Sequence, residues 1–133
     1  MRIMLDTNVL ISALLFPSQR MTTMMDCIFS KHELILSSYV VEELKLVAKK
    51  KFPKKCHAME ALLLIMNYEL VHTPEKIKEN LFYIRDVKDY PVLYTAIHED
   101  VDILISGDKD FAEIYLERPE ILTPAQFMEK YEK

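Results

Sequence analysis

The chain has 133 residues, half of them hydrophobic, and a formal net charge of −4 at pH 7. This length predicts one domain, residues 1–133, with enough apolar side chains to bury a sizeable core. The acidic balance argues against a protein that binds nucleic acid by general phosphate neutralisation, because such binding requires a basic surface. An acidic excess gathered in one place would instead form a cation site. A divalent cation bound there reverses the sign of the local electric field that a phosphate meets.

Glycines, cysteines and apolar runs exclude further classes. Gly107 is the single glycine, whereas phosphate-binding loops and dinucleotide fingerprints need several. Cys27 and Cys56, like the four histidines, lack the paired spacing of a zinc site. No apolar run approaches the roughly 20 residues of a membrane span, and the start lacks the order of a secretion signal. We therefore expect a soluble, cytoplasmic protein with no membrane partner.

The first sixteen residues predict a strand that breaks into a helix at an aspartate. Residues 2–5 form a short apolar run, Asp6-Thr7-Asn8 follow, and residues 9–16 are an apolar stretch long enough to form a helix. This order places the Asp6 carboxylate at the carboxyl end of a strand, where open parallel sheets keep their ligand sites.

The rest of the chain alternates between predicted helices and strands. Apolar residues at helical spacing indicate helices, and short apolar runs between turn residues indicate strands. Strands are predicted over 33–37, 69–73, 103–105 and 121–123, and helices over 19–29, 39–48, a segment opened by Pro53, 74–81, 90–97 and 125–131. Such alternation is typical of an α/β fold, here a three-layer α/β/α sandwich around a parallel sheet of about five strands.

Two of the predicted helices carry expectations about burial. In the helix over 39–48, with Ser38 as its cap, the apolar stripe directs Glu43 toward the rim of the sheet and Glu42 toward water. In the helix opened by Pro53, several apolar side chains are expected to face the core, namely Ala61, Leu62, Leu64 and Ile65.

A run of six lysines without an acidic residue follows Glu43. Its members are Lys45, Lys49, Lys50, Lys51, Lys54 and Lys55. Two interpretations are open: a solvated face favoured by a helix C-terminus, or a surface that guides a polyanion toward an acidic site.

Four carboxylates occupy the ends of strands or the inward faces of helices. Asp6 and Asp108 each follow an apolar strand, Glu43 leans in from a helix, and Asp89 begins another helix. If the first and fourth strands are neighbours at the switch point of the sheet, the four side chains converge. Two like charges about 4 Å apart repel by about 4 kcal/mol at an effective dielectric constant near 20, so the cluster opposes folding unless a cation occupies it.

Asp89 also fits a second structural role. A helix cap is the alternative for Asp89, and it is compatible with metal binding because both leave the carboxylate at a helix start. The nearby Asp86 favours a loop position or an outer position around the cluster.

The donor set defines the expected chemistry. Carboxylates without a nearby Cys or His suit Mg²⁺ or Mn²⁺, which retain water and share their coordination with substrate phosphates. The matching reaction is hydrolysis of a phosphodiester by metal-activated water, which needs no side-chain nucleophile.

At these residues the sequence resembles the PIN-domain ribonucleases, over essentially the whole chain. The motifs are residues 5–10 (LDTNVL), the Glu43-Leu44 pair, Asp89 ahead of an apolar helix, and residues 105–111 (ISGDKDF). The pattern is most similar to the prokaryotic group of toxin components of toxin–antitoxin pairs, related to the VapC toxins. The resemblance implies an endoribonuclease that cuts RNA with Mg²⁺ or Mn²⁺, a five-stranded parallel sheet, a homodimer or higher homo-oligomer, and a small antitoxin that blocks the site.

The resemblance also assigns roles to individual residues. The metal-binding, catalytic acids of the family correspond to Asp6, Glu43, Asp89 and Asp108. Asp110 corresponds to a further acid, and Asn8 and Ser106 to polar positions that orient the cluster. The chain departs from the family at Tyr90-Pro91, where small residues are common.

Two other classes of function compete with this prediction. The acidic net charge and Tyr90-Pro91 favour a PIN-fold RNA-binding or regulatory module with weak catalysis. Phosphotransfer with Asp6 as nucleophile is disfavoured, because haloacid-dehalogenase-type phosphatases need an acid where this chain has Asn8. A receiver domain would need an acidic pair after the first strand and a lysine after the fifth, and neither is present.

Overall fold

A parallel sheet of five strands forms the centre of the structure, a computed structural model that describes residues 1–78, 81–82, 87–108, 111, 114 and 116–131. Its strands are β1 (Arg2–Leu5), β2 (Glu33–Ser37), β3 (Glu69–Val71), β4 (Ile103–Ile105) and β5 (Glu120–Leu122). They lie in the order β3-β2-β1-β4-β5, all parallel. The predicted strands are therefore confirmed, with bounds that differ by at most two residues.

Helices cover the sheet between its strands. They are α1 (Thr7–Leu15), α2 (Gln19–Lys31), α3 (Ser38–Lys51), α4 (Cys56–Ile65), α5 (Tyr90–His98) and α6 (Pro124–Tyr131). The chain moves from β1 to β3 in one direction and then crosses to β4 and β5 in the other. Because parallel crossovers are right-handed, the two directions place helices on opposite faces, which confirms the three-layer α/β/α fold. Within the described residues, no helix is long and apolar enough to cross a membrane.

The core lies around the three central strands. Ile3, Met4 and Leu5 of β1 have no exposed surface, and Ile35 and Leu36 of β2 have none either. Continuous apolar runs suit these positions because both faces of a central parallel strand are covered by helices. The apolar segments that precede the candidate carboxylates are thus fixed by burial.

The cap of α3 differs from the prediction. Ser37, not Ser38, caps the helix, and its hydroxyl accepts a hydrogen bond from the Val40 amide at 3.2 Å. Ser38 instead accepts a bond from the Thr73 amide at 3.0 Å. The helix begins directly where β2 ends, so the last strand residue takes the capping role.

The predicted burial of α4 is wrong for most of its residues. Pro53 begins a short 3-10 turn (Pro53–Lys55), and α4 follows it. Its core contacts come from Met59 and Leu63, whereas the Leu64 and Ile65 side chains are 86% and 79% exposed. Ala61 is exposed as well, and Leu62 is half-buried. Consecutive apolar residues point in all directions around a helix, so they cannot share one core face.

The predicted helix over 74–81 is absent from the described residues 74–78 and 81–82. The Tyr90 side chain holds this segment instead. Its hydroxyl donates a hydrogen bond to the Lys78 carbonyl and accepts one from the Leu81 amide at 3.2 Å. A side chain from α5 therefore supplies partners that a helix would have supplied along its own backbone.

Candidate active site at the carboxyl edge of the sheet

Asp6 lies at the junction of β1 and α1, between the two halves of the sheet. Its side chain is buried, and Oδ1 accepts a hydrogen bond from the Val9 amide at 2.8 Å, which caps α1. Its amide donates to the Ile105 carbonyl at 3.1 Å. Because Leu5 pairs with Ile105, the residues that follow β1 and β4 emerge side by side at the switch point of the sheet.

Ser106 joins Asp6 to the segment after β4. Its hydroxyl donates a hydrogen bond to Asp6 Oδ2 and accepts one from the Asp108 amide at 3.0 Å. Ser106 is itself only 2% exposed. One buried hydroxyl thus fixes both the Asp6 carboxylate and the backbone that carries Asp108, an orienting position of the kind the resemblance implied.

Glu43 approaches from α3, as its place beside the apolar stripe predicts. The side chain is half-buried next to the buried Leu44, whereas Glu42 is exposed. Helix α3 packs against α1, which Asp6 caps. The packing of these two helices brings Glu43 toward Asp6.

Three carboxylates share one electrostatic field. Burial raises the pKa of Asp6 by disfavouring its charged form, and the hydrogen bonds from Ser106 and Val9 oppose this rise. The negative charges of Asp108 and Glu43 raise the Asp6 pKa further. Even so, no group of three or more His, Cys, Asp or Glu side chains in the described part of the chain is close enough to hold a metal ion jointly.

Asp89 lies at the start of α5, as predicted, and is half-buried. Within residues 87–98 its carboxylate makes no capping hydrogen bond to the helix, so the capping role considered for it is not formed. Among the described residues, the charges of Asp108 and Glu43 raise the pKa of Asp6. The structure therefore places Asp108 and Glu43 within electrostatic reach of Asp6, and Asp89 at the start of α5.

The other residues predicted for the site or its surroundings are Asn8, Asp86 and Asp110. Asn8 is exposed in the first turn of α1. Asp86 and Asp110 lie outside the described residues. Gly107 is exposed, and a Cβ added to it would meet no atom of the described residues within 4 Å.

Two residues of this region were not predicted from the sequence. Thr7, next to Asp6, is buried, and its Oγ1 has no hydrogen-bond partner among the described residues. Tyr90 stacks on Phe82 with ring centroids 4.3 Å apart. The spacing of Tyr90, Tyr94 and His98 by four residues could have indicated a ring ladder, since such positions are neighbours on a helix.

Comparison with known families identifies the fold. The PIN domain family matches the chain over residues 2–110. The chain therefore belongs to the PIN domain family, as its motifs had indicated. No curated protein matches the chain at a significant level.

Solved structures similar to this one include a toxin that cleaves the sarcin-ricin loop. A chain of VapBC2 from Rickettsia felis, bound to a DNA fragment from its promoter, has a TM-score of 0.70 and 21% identity over 92% of this chain and 97% of that one. FitAcB from Neisseria gonorrhoeae has a TM-score of 0.64 and 20% identity, over 92% of this chain and 98% of that one. VapC20 from Mycobacterium tuberculosis, a toxin that cleaves the sarcin-ricin loop, has a TM-score of 0.60 and 15% identity, over 83% of this chain and 92% of that one. At these identities the likeness shows the fold alone.

Proposed function

We propose that this protein is a Mg²⁺- or Mn²⁺-dependent endoribonuclease and the toxin component of a toxin–antitoxin pair. The observation that carries the proposal is the buried Asp6 carboxylate at the switch point of the sheet, held by Ser106 and facing the charges of Asp108 and Glu43. A buried carboxylate beside two others is costly to maintain, and a divalent cation removes that cost. Membership of the PIN domain family supports the same chemistry.

The residues present fit a hard cation. All the donors are carboxylate oxygens, the ligands that Mg²⁺ and Mn²⁺ prefer. Each Asp6 oxygen accepts one hydrogen bond and so keeps a further lone pair for a ligand. Asp6, Glu43 and Asp108 would hold the ion, with Asp89 added from the family pattern.

Each side chain then has a defined part in hydrolysis. The bound ion would activate water for attack on an RNA phosphodiester and would neutralise charge on the phosphate. Ser106 keeps Asp6 in a fixed orientation, and Val9 holds its second oxygen. The spread of the acids suits an ion that binds through one or two carboxylates and keeps several waters.

The similar structures support the substrate and the partner. One of them is a toxin that cleaves the sarcin-ricin loop, and two others are VapBC2 and FitAcB. We extend RNA cleavage and a small antitoxin partner to this chain. Leu46, Leu64 and Ile65 are exposed apolar side chains that favour association, which includes the expected homodimer or higher homo-oligomer. Light scattering of the purified chain measures that oligomeric state.

The decisive experiment compares the wild type with Asp6→Asn on single-stranded and structured RNA in Mg²⁺ and Mn²⁺. We expect cleavage to fall at least about 100-fold in the variant, as when a group essential to a metal site is removed, and to stop in EDTA. Asp26→Asn, which changes an exposed acid on α2, is the matched control. Cleavage that survives both Asp6→Asn and EDTA refutes the mechanism.

A catalytically weak RNA-binding or regulatory module is the second candidate. It is favoured by the lack of a compact group of three ligands in the described residues. Thermal stability in Mn²⁺ separates the two. A functional site gains about 2.7 kcal/mol when the ion is at 100 times its Kd, and this gain is lost in Asp6→Asn, whereas the module gains almost nothing.

A further inference from the structure

Basic charge is segregated within this acidic chain. Residues 7–25 and 44–59 contain no acidic residue, yet they include Arg20 and the six lysines from Lys45 to Lys55. All 21 acidic residues lie elsewhere, together with the other ten basic ones. The net charge of −4 therefore conceals a positive region made from two separate segments.

The structure joins the two segments at one place, which we call the basic tip and define as residues 15–20 and 45–55. Phe16 meets Phe52 edge to face, with ring centroids 4.8 Å apart. The Lys55 ammonium donates to the Leu15 carbonyl at 2.7 Å and lies 4.0 Å from the centroid of the Phe16 ring. Lys55 thus fastens the tip, and its other basic side chains are exposed: Arg20, Lys45, Lys49, Lys50, Lys51 and Lys54.

The tip is rigidly spaced from the candidate active site. Helix α1 begins directly after Asp6 and ends at Leu15. Nine residues at 1.5 Å each place the end of the helix about 14 Å from its start. Packing of α1 against α3 and α4 holds this spacing. A strand of a few nucleotides can cross that distance.

An open aromatic ring distinguishes the tip from an ordinary solvated lysine face. Phe16 is 45% exposed, although Phe52 and Lys55 contact it. Lysines beside an exposed ring match single-stranded nucleic acid, where cations neutralise phosphates and rings stack on bases. An acidic protein segment would use the lysines but would offer no base for the ring.

We propose that the basic tip binds the backbone of single-stranded RNA a few nucleotides from Asp6, with Phe16 stacking on one base. This proposal rests on the proposed function, whose substrate strand the tip would anchor. It resolves the two interpretations of the lysine run in favour of a polyanion surface.

Binding of a labelled single-stranded RNA, measured in EDTA over a range of salt concentrations, tests the lysines. For Lys50→Gln/Lys54→Gln we expect the Kd at 0.1 M salt to rise on the order of tenfold. The slope of log Kd against log salt should fall by about 1.4, or 0.7 for each lost phosphate contact on a single strand. The matched control is Lys31→Gln/Lys130→Gln, which removes the same charge at the opposite edge of the sheet, before β2 and beside Glu120. Equal effects in both double variants overturn the proposal.

The ring is tested by Phe16→Leu against Phe29→Leu, since Phe29 is another exposed aromatic, 38% exposed, near the end of α2. We expect Phe16→Leu to weaken binding about fivefold or more, with an unchanged salt slope, because stacking involves no counterion release. Thermal melting of each variant shows whether it is folded. A loss shared by Phe29→Leu contradicts the stacking role.

Two further outcomes separate the competing explanations. If poly-glutamate displaces the labelled RNA as well as unlabelled RNA of equal charge, the tip is a general polyanion or acidic-protein surface and the proposal fails. RNA binding is measured in EDTA and so does not depend on the metal. A wild-type protein that binds RNA but cleaves it in neither Mg²⁺ nor Mn²⁺ therefore refutes only the proposed function. Cleavage with tip-independent binding refutes only this inference.

Discussion

At the scale of single residues, the site depends on how one carboxylate is kept buried. Asp6 is a helix cap and a candidate metal ligand at once, and each of its oxygens already accepts a hydrogen bond. Removing one partner of a buried acceptor costs more than the bond itself contributes, because the acceptor loses both water and protein partners. Ser106 is therefore the residue through which the orientation of Asp6 can be changed without removing the acid.

Ser106→Ala should lower kcat for RNA cleavage while KM changes little, because this hydroxyl is buried against Asp6. The loss should be about 10- to 100-fold, as for other residues that orient metal ligands. The free energy of unfolding should fall by about 1–3 kcal/mol, because Asp6 Oδ2 loses its donor. Steady-state kinetics and urea denaturation measure the two effects. Ser30→Ala, at an exposed serine on α2, is the control, and a rise in KM alone would argue against an orienting role.

The sequence predicted the positions of three acids better than it predicted their surroundings. Asp6, Asp108 and Glu43 could be found because each has a fixed place relative to an apolar strand or helix stripe. The role of Tyr90 could not, because its hydroxyl meets backbone atoms of residues 78 and 81 that only the folded chain brings near. The pattern of apolar and polar residues predicts which way a side chain points within a helix or strand. Contacts between elements depend on the whole fold.

At the scale of elements, α4 shows where the spacing of apolar residues cannot predict which face of a helix is buried. Residues 62–65 read LLLI, and an unbroken apolar run fits every possible face of a helix. The structure chooses the face of Met59 and Leu63, four residues apart. The order of the strands in the sheet could not be predicted from the sequence either. The positions of the strands followed from the sequence, but the pairing of β1 with β4 had to be assumed and is seen only in the structure.

Adjacent leucines of α4 should differ sharply in their contribution to stability. Leu63→Ala should cost about 2–5 kcal/mol, because it leaves a cavity in the core. Leu64→Ala should change the free energy of unfolding by no more than about 0.5 kcal/mol, because an exposed side chain loses little on truncation. Urea denaturation of the two variants decides the matter. Equal losses would mean that α4 packs against the core through a different face.

At the scale of the whole molecule, charge is organised into regions rather than spread evenly. Helix α1 joins the basic tip to Asp6 and the charges of Asp108 and Glu43 around it, so one rigid element sets the spacing of opposite charges. Net charge alone had argued against nucleic-acid binding. The arrangement in space removes that objection, because association responds to local rather than total charge.

Stability in acid should depend on the contact between β5 and α6. The hydrogen bond from Lys130 is the main cause that lowers the pKa of Glu120, and the Tyr131 hydroxyl adds to it. A carboxyl with a lowered pKa stabilises the fold above its unfolded-state pKa, and this contribution is lost as the pH falls through its folded-state pKa.

The difference in unfolding free energy between wild type and Glu120→Gln should therefore be present at neutral pH and shrink as the pH falls below about 4. Denaturation at a series of pH values measures this difference. Glu117→Gln, which changes an exposed carboxylate near the same strand, is the control. A difference that grows in acid would mean that folding raises the Glu120 pKa instead of lowering it.

The bond between Ser106 and Asp6 spans 100 residues of chain. During synthesis Asp6 leaves the ribosome long before its partner exists, and the strand that precedes it lacks one of its two neighbours until β4 arrives. A nascent chain therefore cannot assemble the candidate site, and a chain with the proposed activity would not cut RNA, until β4 has been synthesised.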